Sequence, residues 1–303
     1  MKYSIIGTGA VGGYYGGKLA NAGHDVHFLL HSDYEYVRRN GLTIKSCNGD
    51  FCIPNVNAYN DTTQMPKSDV VIVAMKSVNQ KLLYKILPPL LDNDTLVLLI
   101  QNGIGLEDDL SREFPGLSIA AGLAFICSAK TSPGVVWHQC YGSINIGNYN
   151  CNSNKISQLI EDFKHSGVEA QEVEYHEARW KKAVWNMPFN GMTVTHNTTT
   201  AGLLDICPQT IYSQMCEVVD AARACGVDSI DYTFADKMME MTRAMVPYSP
   251  SMKLDFDNHR PMEIYYLYTR PIEEARKAGF SMNLLSEVEQ QLLKIESNYS
   301  RKI

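Results

Sequence analysis

The chain has 303 residues, 45% of them hydrophobic, and a formal net charge of −6 at pH 7. This length is enough to bury a large core and favours two domains. The Lys and Arg residues are scattered and form no basic patch, which argues against binding to nucleic acid or to an anionic membrane surface. The longest apolar runs are only strand-sized and no signal-peptide segment precedes the first strand. We therefore expect a cytoplasmic protein that does not span a membrane.

The eight cysteines show neither a CxxC pair nor a histidine partner at zinc spacing. We expect mostly reduced, structural thiols and no metal site, which also favours the cytoplasm. The even number of cysteines leaves a disulfide open.

The first predicted elements are a short strand at residues 3–6, a glycine-rich turn and a helix, with a second strand at residues 26–30. Gly7 permits the tight turn, Gly9 lets backbone amides approach a pyrophosphate, and Gly12 allows the helix to pack closely on the strand. The phosphates would then meet the positive N-terminus of the helix. This order of elements favours a dinucleotide site over the alternative, a glycine-rich turn with a purely structural role.

Two later apolar runs, residues 70–74 and 96–100, are typical of parallel strands buried on both faces. Polar residues follow each run: Lys76 follows the first, and Gln101 and Asn102 follow the second. Because ligands bind outside the carboxyl ends of the strands in open α/β sheets, these side chains are candidates for a ligand site.

The first half also contains a predicted hairpin, with Asn48 and Gly49 in its turn. Short alternating segments at residues 135–139 and 143–146, followed by a helix near residues 153–166, indicate the edge of the first domain. Beyond these segments apolar residues recur at helical spacing, so the second half is predicted to be mainly α-helical. Since no linker separates the halves, we expect two domains that join directly and form a cleft.

Lys182, Asn186 and Asn190 stand four residues apart and would line a single face of one helix. One interpretation is an exposed lysine with two asparagines that cap a helix interrupted by Pro188. The alternative is a site that faces the nucleotide, because an ammonium group can stabilise the alkoxide formed by hydride addition to a ketone and then supply the proton. Burial would lower the pKa of such a lysine toward a value useful for proton transfer.

A third group contains Ser251, Pro261 and Glu263. Ser251 is placed to cap a short helix, and Pro261 is placed to begin another, which would make Glu263 a first-turn carboxylate with a structural role. Alternatively, a carboxylate beside a lysine in a cleft would fix the position of that lysine or accept a hydrogen bond from a substrate hydroxyl.

These motifs resemble the 2-dehydropantoate 2-reductase (ketopantoate reductase) family, whose members make pantoate for pantothenate and coenzyme A. The likeness covers nearly the whole chain, and several motifs in a fixed order are far more specific than one glycine loop. It rests on the segments at residues 7–13, 73–76, 101–105, 132–138 and 180–182, and on Asn186, Asn190, Ser251, Met252, Asp255 and Glu263.

The resemblance implies an α/β fold with an N-terminal Rossmann-type doubly wound sheet and a mainly α-helical C-terminal domain. Residues 1–174 would form the dinucleotide-binding domain, and residues 175–303 the domain for substrate binding and catalysis. The implied reaction is the NADPH-dependent reduction of 2-dehydropantoate, a small 2-keto acid, to pantoate.

The resemblance also implies roles for individual residues. By motif match, Lys182 donates the proton and Glu263 assists it. Asn102 would lie between the two ligands, and the other implied substrate contacts are Asn186, Asn190 and Ser251. The implied cofactor contacts are Gly7, Thr8, Gly9, Ala10, Val11, Gly12, His31, Lys76 and Asn102.

Two positions depart from the family pattern, and the first concerns the cofactor. Many members have an arginine that faces the 2′-phosphate, whereas this chain has His31, a weaker anion partner at neutral pH. NADP(H) stays the favoured cofactor and NAD(H) the alternative. Asp33 lies near where an acid would hold the ribose of NAD, whereas Ser32, Arg38 or Arg39 would assist a phosphate.

The second departure is Thr200, which stands where relatives can have an asparagine that contacts substrate. Thr200 either retains that hydrogen bond or indicates a different keto acid as substrate. In the second case, the alternative function is that of a related NAD(P)-dependent dehydrogenase acting on another 2-keto or 3-hydroxy acid. A non-catalytic, nucleotide-responsive protein is a further alternative, although the presence of Lys182 and Glu263 argues against it. A homodimer is possible.

Overall fold

A ten-stranded mixed sheet forms the first part of the chain in the computed structural model, which describes residues 1–300. The chain divides into two units. The sheet unit comprises residues 1–101 and 106–175, and the helical unit comprises residues 102–105 and the described residues from 176 onward. Residues 102–105, which the sequence analysis assigned to the first domain, therefore group with the helices.

The strands of the sheet unit are β1 (Lys2–Ile6), β2 (Asp25–Leu29), β3 (Leu42–Ser46), β4 (Phe51–Ile53), β5 (Asn57–Tyr59), β6 (Val70–Val73), β7 (Leu96–Leu99), β8 (Ser118–Ser132), β9 (Val135–Asn148) and β10 (Ala170–Val173). Its α-helices are α1 (Ala10–Asn21), α2 (Tyr34–Asn40), α3 (Gln80–Ile86), α4 (Leu106–Glu113) and α5 (Ser153–His165).

Six strands pair in parallel in the order β5-β2-β1-β6-β7-β8. This is the strand order of a Rossmann fold, so the predicted Rossmann-type sheet is confirmed. Every residue of β6 and β7 is fully buried, as expected of parallel strands covered on both faces. The order reverses between β1 and β6, and folds of this kind bind ligands at the carboxyl ends of the strands beside that reversal.

The strands β8 and β9 form a long antiparallel hairpin that the sequence analysis did not predict. Residues 135–139 and 143–146, interpreted as short segments at the edge of the domain, are parts of the single strand β9, which lies inside the sheet between β8 and β3. The interpretation as separate short segments was therefore wrong. Register shifts in the pairing and a positive φ of 63° at Tyr141 interrupt the period-two pattern that would have marked one strand. The predicted hairpin of β3 and β4 is confirmed, with Gly49 in its turn.

The helical unit confirms the prediction for the second half of the chain. Its apolar repeat buries Ile211, Met215, Val218 and Ala222 completely, and the helix that carries them is followed by Gly226 at a φ of 88°. The α-helices are α6 (Tyr175–Thr195), α7 (Thr200–Ile206), α8 (Pro208–Ala224), α9 (Tyr232–Ala244), α10 (Ser251–Asp257), α11 (Arg270–Lys277) and α12 (Asn283–Ser300), and a π-helical turn spans Tyr265–Thr269.

Within residues 1–300, none of the helices has the length and apolar character needed to cross a membrane. The same residues contain no group of three or more His, Cys, Asp or Glu side chains arranged to hold a metal ion.

Candidate functional site

The glycine loop between β1 and α1 packs tightly against the protein backbone at two glycines and leaves open space at a third. Gly7 has a φ of 91°, and a Cβ atom on it would lie 2.3 Å from the backbone nitrogen of Met75. A Cβ atom on Gly12 would lie 2.3 Å from the carbonyl oxygen of Gly7. At Gly9, where α1 begins, a Cβ atom would meet nothing within 4 Å. The loop can therefore admit a pyrophosphate at Gly9 while the chain packs tightly on either side.

The loop lies where the strand order reverses. Gly7 follows β1 and touches the backbone of Met75, which follows β6, so the carboxyl ends of both strands meet there. Lys76, half-buried, comes next along the chain at the same edge of the sheet. These contacts fit a dinucleotide, because this is the edge at which Rossmann folds bind one.

The remaining cofactor candidates of the sheet unit offer different groups to a ligand. The hydroxyl of Thr8 donates a hydrogen bond to the carbonyl oxygen of Leu29 at 2.8 Å, so this side chain ties the loop to β2. Ala10 and Val11 form the first turn of α1. His31, two residues beyond β2, is exposed.

Several charged residues after β2 form ion pairs. Arg38 and Arg39 both bind the carboxylate of Glu35, at 3.0 and 3.3 Å, on the exposed surface of α2. Asp33 is buried and forms an ion pair with Lys130 of β8. The sequence analysis did not identify Lys130, which stands almost a hundred positions further along the chain.

In the helical unit, Lys182, Asn186 and Asn190 lie on the continuous helix α6, and their spacing places them on one face. Pro188 lies within this helix and does not interrupt it, so the interpretation with two capping asparagines was wrong.

Lys182 lines a small cavity of the helical unit. The residue as a whole keeps some solvent exposure, whereas its ammonium group is surrounded by protein. Burial, and then the positive charge of Arg179, lower the pKa of Lys182 from 10.5 to about 7, while the negative charge of Glu263 acts in the opposite direction. The other residues that line the cavity are Gly103, Ile104, Arg179, Ala183, Asn186, Tyr266, Leu267 and Pro271.

Arg179 is a residue that the sequence analysis missed. It is buried on α6 three residues before Lys182, so both side chains lie on the same face and reach the same cavity. That spacing was the available signal, but two cations one turn apart on a helix are usually both solvated.

Glu263 is buried and directly precedes the first helical residue, Ile264, so it does not lie in the first turn. The π-helical turn that follows contributes Tyr266 and Leu267 to the Lys182 cavity. Turns of this kind are frequent at functional sites.

Asn102 belongs to the helical unit through the loop that carries it. The backbone nitrogen of Ile104 donates to the carbonyl oxygen of Tyr266 at 3.0 Å. A Cβ atom on Gly103 would lie 2.5 Å from the Cβ atom of Tyr266, so only glycine fits so close to the π-helical turn. The chain that follows β7 thus contributes to the wall of the Lys182 cavity, one residue beyond Asn102.

The side chain of Asn190 is hydrogen-bonded to the start of α10, the helix whose first residue is Ser251. Asn190 is buried, and its side chain accepts a hydrogen bond from the backbone nitrogen of Met252 at 3.2 Å and donates one to the carbonyl oxygen of Asn186 at 3.0 Å. Ser251 is the first residue of α10 and Pro250 occupies the N-cap, so the expectation that Ser251 caps this helix was wrong. The amide of Asn190 therefore fixes Ser251 relative to α6.

Thr200 begins α7 and is buried. Its backbone nitrogen donates to the carbonyl oxygen of Tyr248 at 2.9 Å, and its hydroxyl accepts from the backbone nitrogen of Tyr248 at 3.3 Å. The side chain thus holds the chain that leads into α10.

Comparison with known proteins gives matches along almost the whole chain. The family model described as "Ketopantoate reductase PanE/ApbA" matches residues 3–151, and the model of its C-terminal part matches residues 174–296. A 2-dehydropantoate 2-reductase from Nostoc sp. is 42% identical over 300 residues, which cover 96% of this chain and 94% of the relative.

Solved structures show the same fold. The 2-dehydropantoate 2-reductase from Geobacter metallireducens superposes with a TM-score of 0.94 at 34% identity, covering 97% of this chain and 99% of the other. A D-mandelate dehydrogenase solved with NADH and anilino(oxo)acetate superposes with a TM-score of 0.86, covering 99% of this chain and 100% of the other. At 21% identity, this second likeness shows the fold alone.

Proposed function

The chain belongs to the ketopantoate reductase family of oxidoreductases acting on a CH–OH group, and from this premise we propose that it reduces 2-dehydropantoate to pantoate. We propose NADPH as the hydride source, Lys182 as the proton donor, and pantothenate and coenzyme A biosynthesis as the pathway. The observation that carries the proposal is an enclosed lysine that lines a small cavity together with Asn186, in the electrostatic field of Glu263.

The proposed role of Lys182 follows from the charge that develops during reduction. A ketone that accepts a hydride becomes an alkoxide, and an adjacent ammonium group stabilises this charge and then neutralises it by giving up a proton. A pKa of about 7 suits this task, because the group holds a proton near neutral pH and releases it without a large energetic cost. Glu263 favours the protonated form, which keeps the donor charged.

Three asparagines and one serine are the proposed substrate contacts. Asn186 lines the Lys182 cavity and can orient a polar substrate without adding charge. Asn190 acts on Ser251 through the backbone of α10, and Asn102 belongs to the loop whose next residues, Gly103 and Ile104, line the cavity. Each assignment remains a proposal for this chain.

The glycine loop is the proposed site for the pyrophosphate of the cofactor, which supplies the hydride when bound. Gly9 leaves space for the phosphates, Ala10 and Val11 present the N-terminus of α1, and Lys76 adds a positive charge beside the reversal of strand order. NADP(H) is the proposed cofactor, and NAD(H) the alternative.

The test is nicotinamide oxidation by the purified protein, with 2-dehydropantoate and a panel of other 2-keto acids, and with NADPH and NADH in parallel. Fast turnover of 2-dehydropantoate with NADPH supports the proposal. Preference for another keto acid refutes the substrate assignment, and preference for NADH refutes the cofactor assignment. Binding of nucleotide without any turnover favours a regulatory protein. A homodimer remains a separate prediction, which analytical ultracentrifugation tests.

A further inference from the structure

Lys130 places a positive charge at the edge of the sheet where the glycine loop lies. Its ammonium group forms an ion pair with Asp33, which stands four residues beyond the end of β2. It also donates a hydrogen bond to the carbonyl oxygen of Thr8, within the glycine loop, at 3.3 Å. One amino group therefore contacts the segments that follow β1 and β2, the two strands whose carboxyl ends hold the adenosine half of a dinucleotide in a Rossmann fold.

The hairpin of β8 and β9 holds Lys130 in this position. The backbone nitrogen of Gly134, in its turn, donates to Asp33 at 3.2 Å, and the carbonyl oxygen of Gly134 accepts from the backbone nitrogen of Thr43 at 2.8 Å. A Cβ atom on Gly134 would lie 2.9 Å from the ring of Tyr36, so the turn packs tightly on α2. The turn of the hairpin is thus tied to α2, to β3 and to the segment after β2.

These contacts bear on whether the carboxylate of Asp33 can bind the ribose of NAD. A carboxylate at this edge of a Rossmann fold usually accepts a hydrogen bond from the ribose 2′-hydroxyl of NAD, whereas a cation there accommodates the 2′-phosphate of NADP. Asp33 is only 5% exposed, and its charge is already compensated by Lys130. Its carboxylate therefore serves to position Lys130.

Lys130 keeps a donor for a ligand. An ammonium group has three N–H donors, and Asp33 and Thr8 account for two of them. The side chain is 28% exposed, so the third donor can reach solvent and a bound anion. Arg38 and Arg39 share the carboxylate of Glu35 instead.

We propose that Lys130 binds the 2′-phosphate of NADP(H) and that Asp33 positions it. Lys130 would then take the role of the arginine that many family members have at the position of His31. The inference rests on the proposed cofactor site and adds a residue that determines the choice between NADP(H) and NAD(H). Lysine is well suited to this role as a point charge facing a phosphate.

The test compares dissociation constants for two pairs of ligands, each differing by the 2′-phosphate: NADPH with NADH, and adenosine 2′,5′-bisphosphate with 5′-AMP. Calorimetry measures them without turnover. Lys130→Met is expected to weaken NADPH and the bisphosphate by about 10- to 100-fold, as for loss of a hydrogen bond to a charged group. NADH and 5′-AMP are expected to change less than about threefold. Lys130→Arg is expected to restore most of the phosphate preference.

Arg39→Met is the matched control, because it removes an exposed cation of α2, the helix that follows the same strand. If Arg39→Met abolishes the phosphate preference and Lys130→Met does not, the inference is wrong. It is also wrong if Lys130→Met weakens both members of each pair equally, or if the wild type binds NADH more tightly than NADPH. Because adenosine 2′,5′-bisphosphate has no nicotinamide, its binding can support the inference even if 2-dehydropantoate is not a substrate.

A double variant controls for the destabilisation that Lys130→Met alone would cause. Lys130→Met leaves the Asp33 carboxylate buried without its partner, which is commonly destabilising. Asp33→Asn combined with Lys130→Met removes both charges, and circular dichroism verifies that the protein is folded. If this folded double variant keeps the wild-type ratio of NADPH to NADH affinity, Lys130 does not bind the phosphate.

Discussion

Replacing Lys182 with methionine is expected to slow turnover strongly and to stabilise the folded protein. Methionine keeps much of the volume of the side chain but cannot donate a proton. Loss of a general acid typically lowers the rate by about 10²- to 10⁴-fold. The gain in stability arises because the protein holds an enclosed ammonium group whose pKa it lowers from 10.5 to about 7.

The size and the pH dependence of this gain follow from the lowered pKa. Each pKa unit corresponds to about 1.4 kcal/mol, so the protonated lysine opposes folding by up to about 5 kcal/mol. Below pH 7 both the folded and the unfolded protein carry the proton, and the penalty is complete. Between about pH 7 and pH 10.5 the unfolded protein binds more protons, so this group makes the wild type more stable as the pH rises. The advantage of Lys182→Met should therefore be largest at pH 6 and nearly absent above pH 10.

Urea unfolding of both proteins at several pH values measures this difference, and steady-state assays measure the rate. The matched control is Lys181→Met, which removes the adjacent lysine, paired with Glu177 at the surface. The control should keep its activity and change the free energy of unfolding by no more than about 1 kcal/mol. If the stability of Lys182→Met relative to the wild type does not fall as the pH rises from 7 to 10, Lys182 does not carry the lowered pKa. A variant that keeps most of the wild-type rate would refute the role of Lys182 as proton donor.

The remaining predictions concern the same two parts of the molecule. The rate of keto acid reduction by the wild type should fall as the pH rises through about 7, because Lys182 loses the proton that it donates. Glu263→Gln should move this limb of the pH profile to lower pH and Arg179→Met should move it to higher pH, since these residues raise and lower the pKa of Lys182; equal profiles would contradict the electrostatic assignment. In the glycine loop, Gly9→Ala should keep the wild-type melting temperature, because the added methyl group meets no protein atom. It should lose affinity for NADPH, because the methyl group enters the space proposed for the pyrophosphate. Gly12→Ala should be destabilised by about 1 to 3 kcal/mol, because its methyl group meets the backbone; thermal unfolding and calorimetry distinguish the two.

The parts of the fold that could be predicted from sequence are those with short-range patterns. The loop from Gly7 to Gly12 is recognisable because turn, close approach and helix start fall within six positions. The stripe of Lys182, Asn186 and Asn190 is recognisable because four-residue spacing defines a helix face. The long strand β9 was missed because register shifts and the positive φ of Tyr141 break the alternation on which strand prediction depends.

What the sequence could not provide are the partners of charged residues that lie far apart in the chain. Asp33 has the position of a ribose-binding acid, and its sequence neighbours include Arg38 and Arg39, so local reasoning leaves both cofactors open. In the structure, Asp33 forms an ion pair with Lys130, 97 positions further along the chain. Its carboxylate, which the sequence suggested as an acceptor for the ribose of NAD, is buried and its charge is compensated. A preference for NADP(H) would then depend on a lysine in the long hairpin of β8 and β9. Because the register shifts prevented the prediction of this hairpin, they also prevented the identification of Lys130.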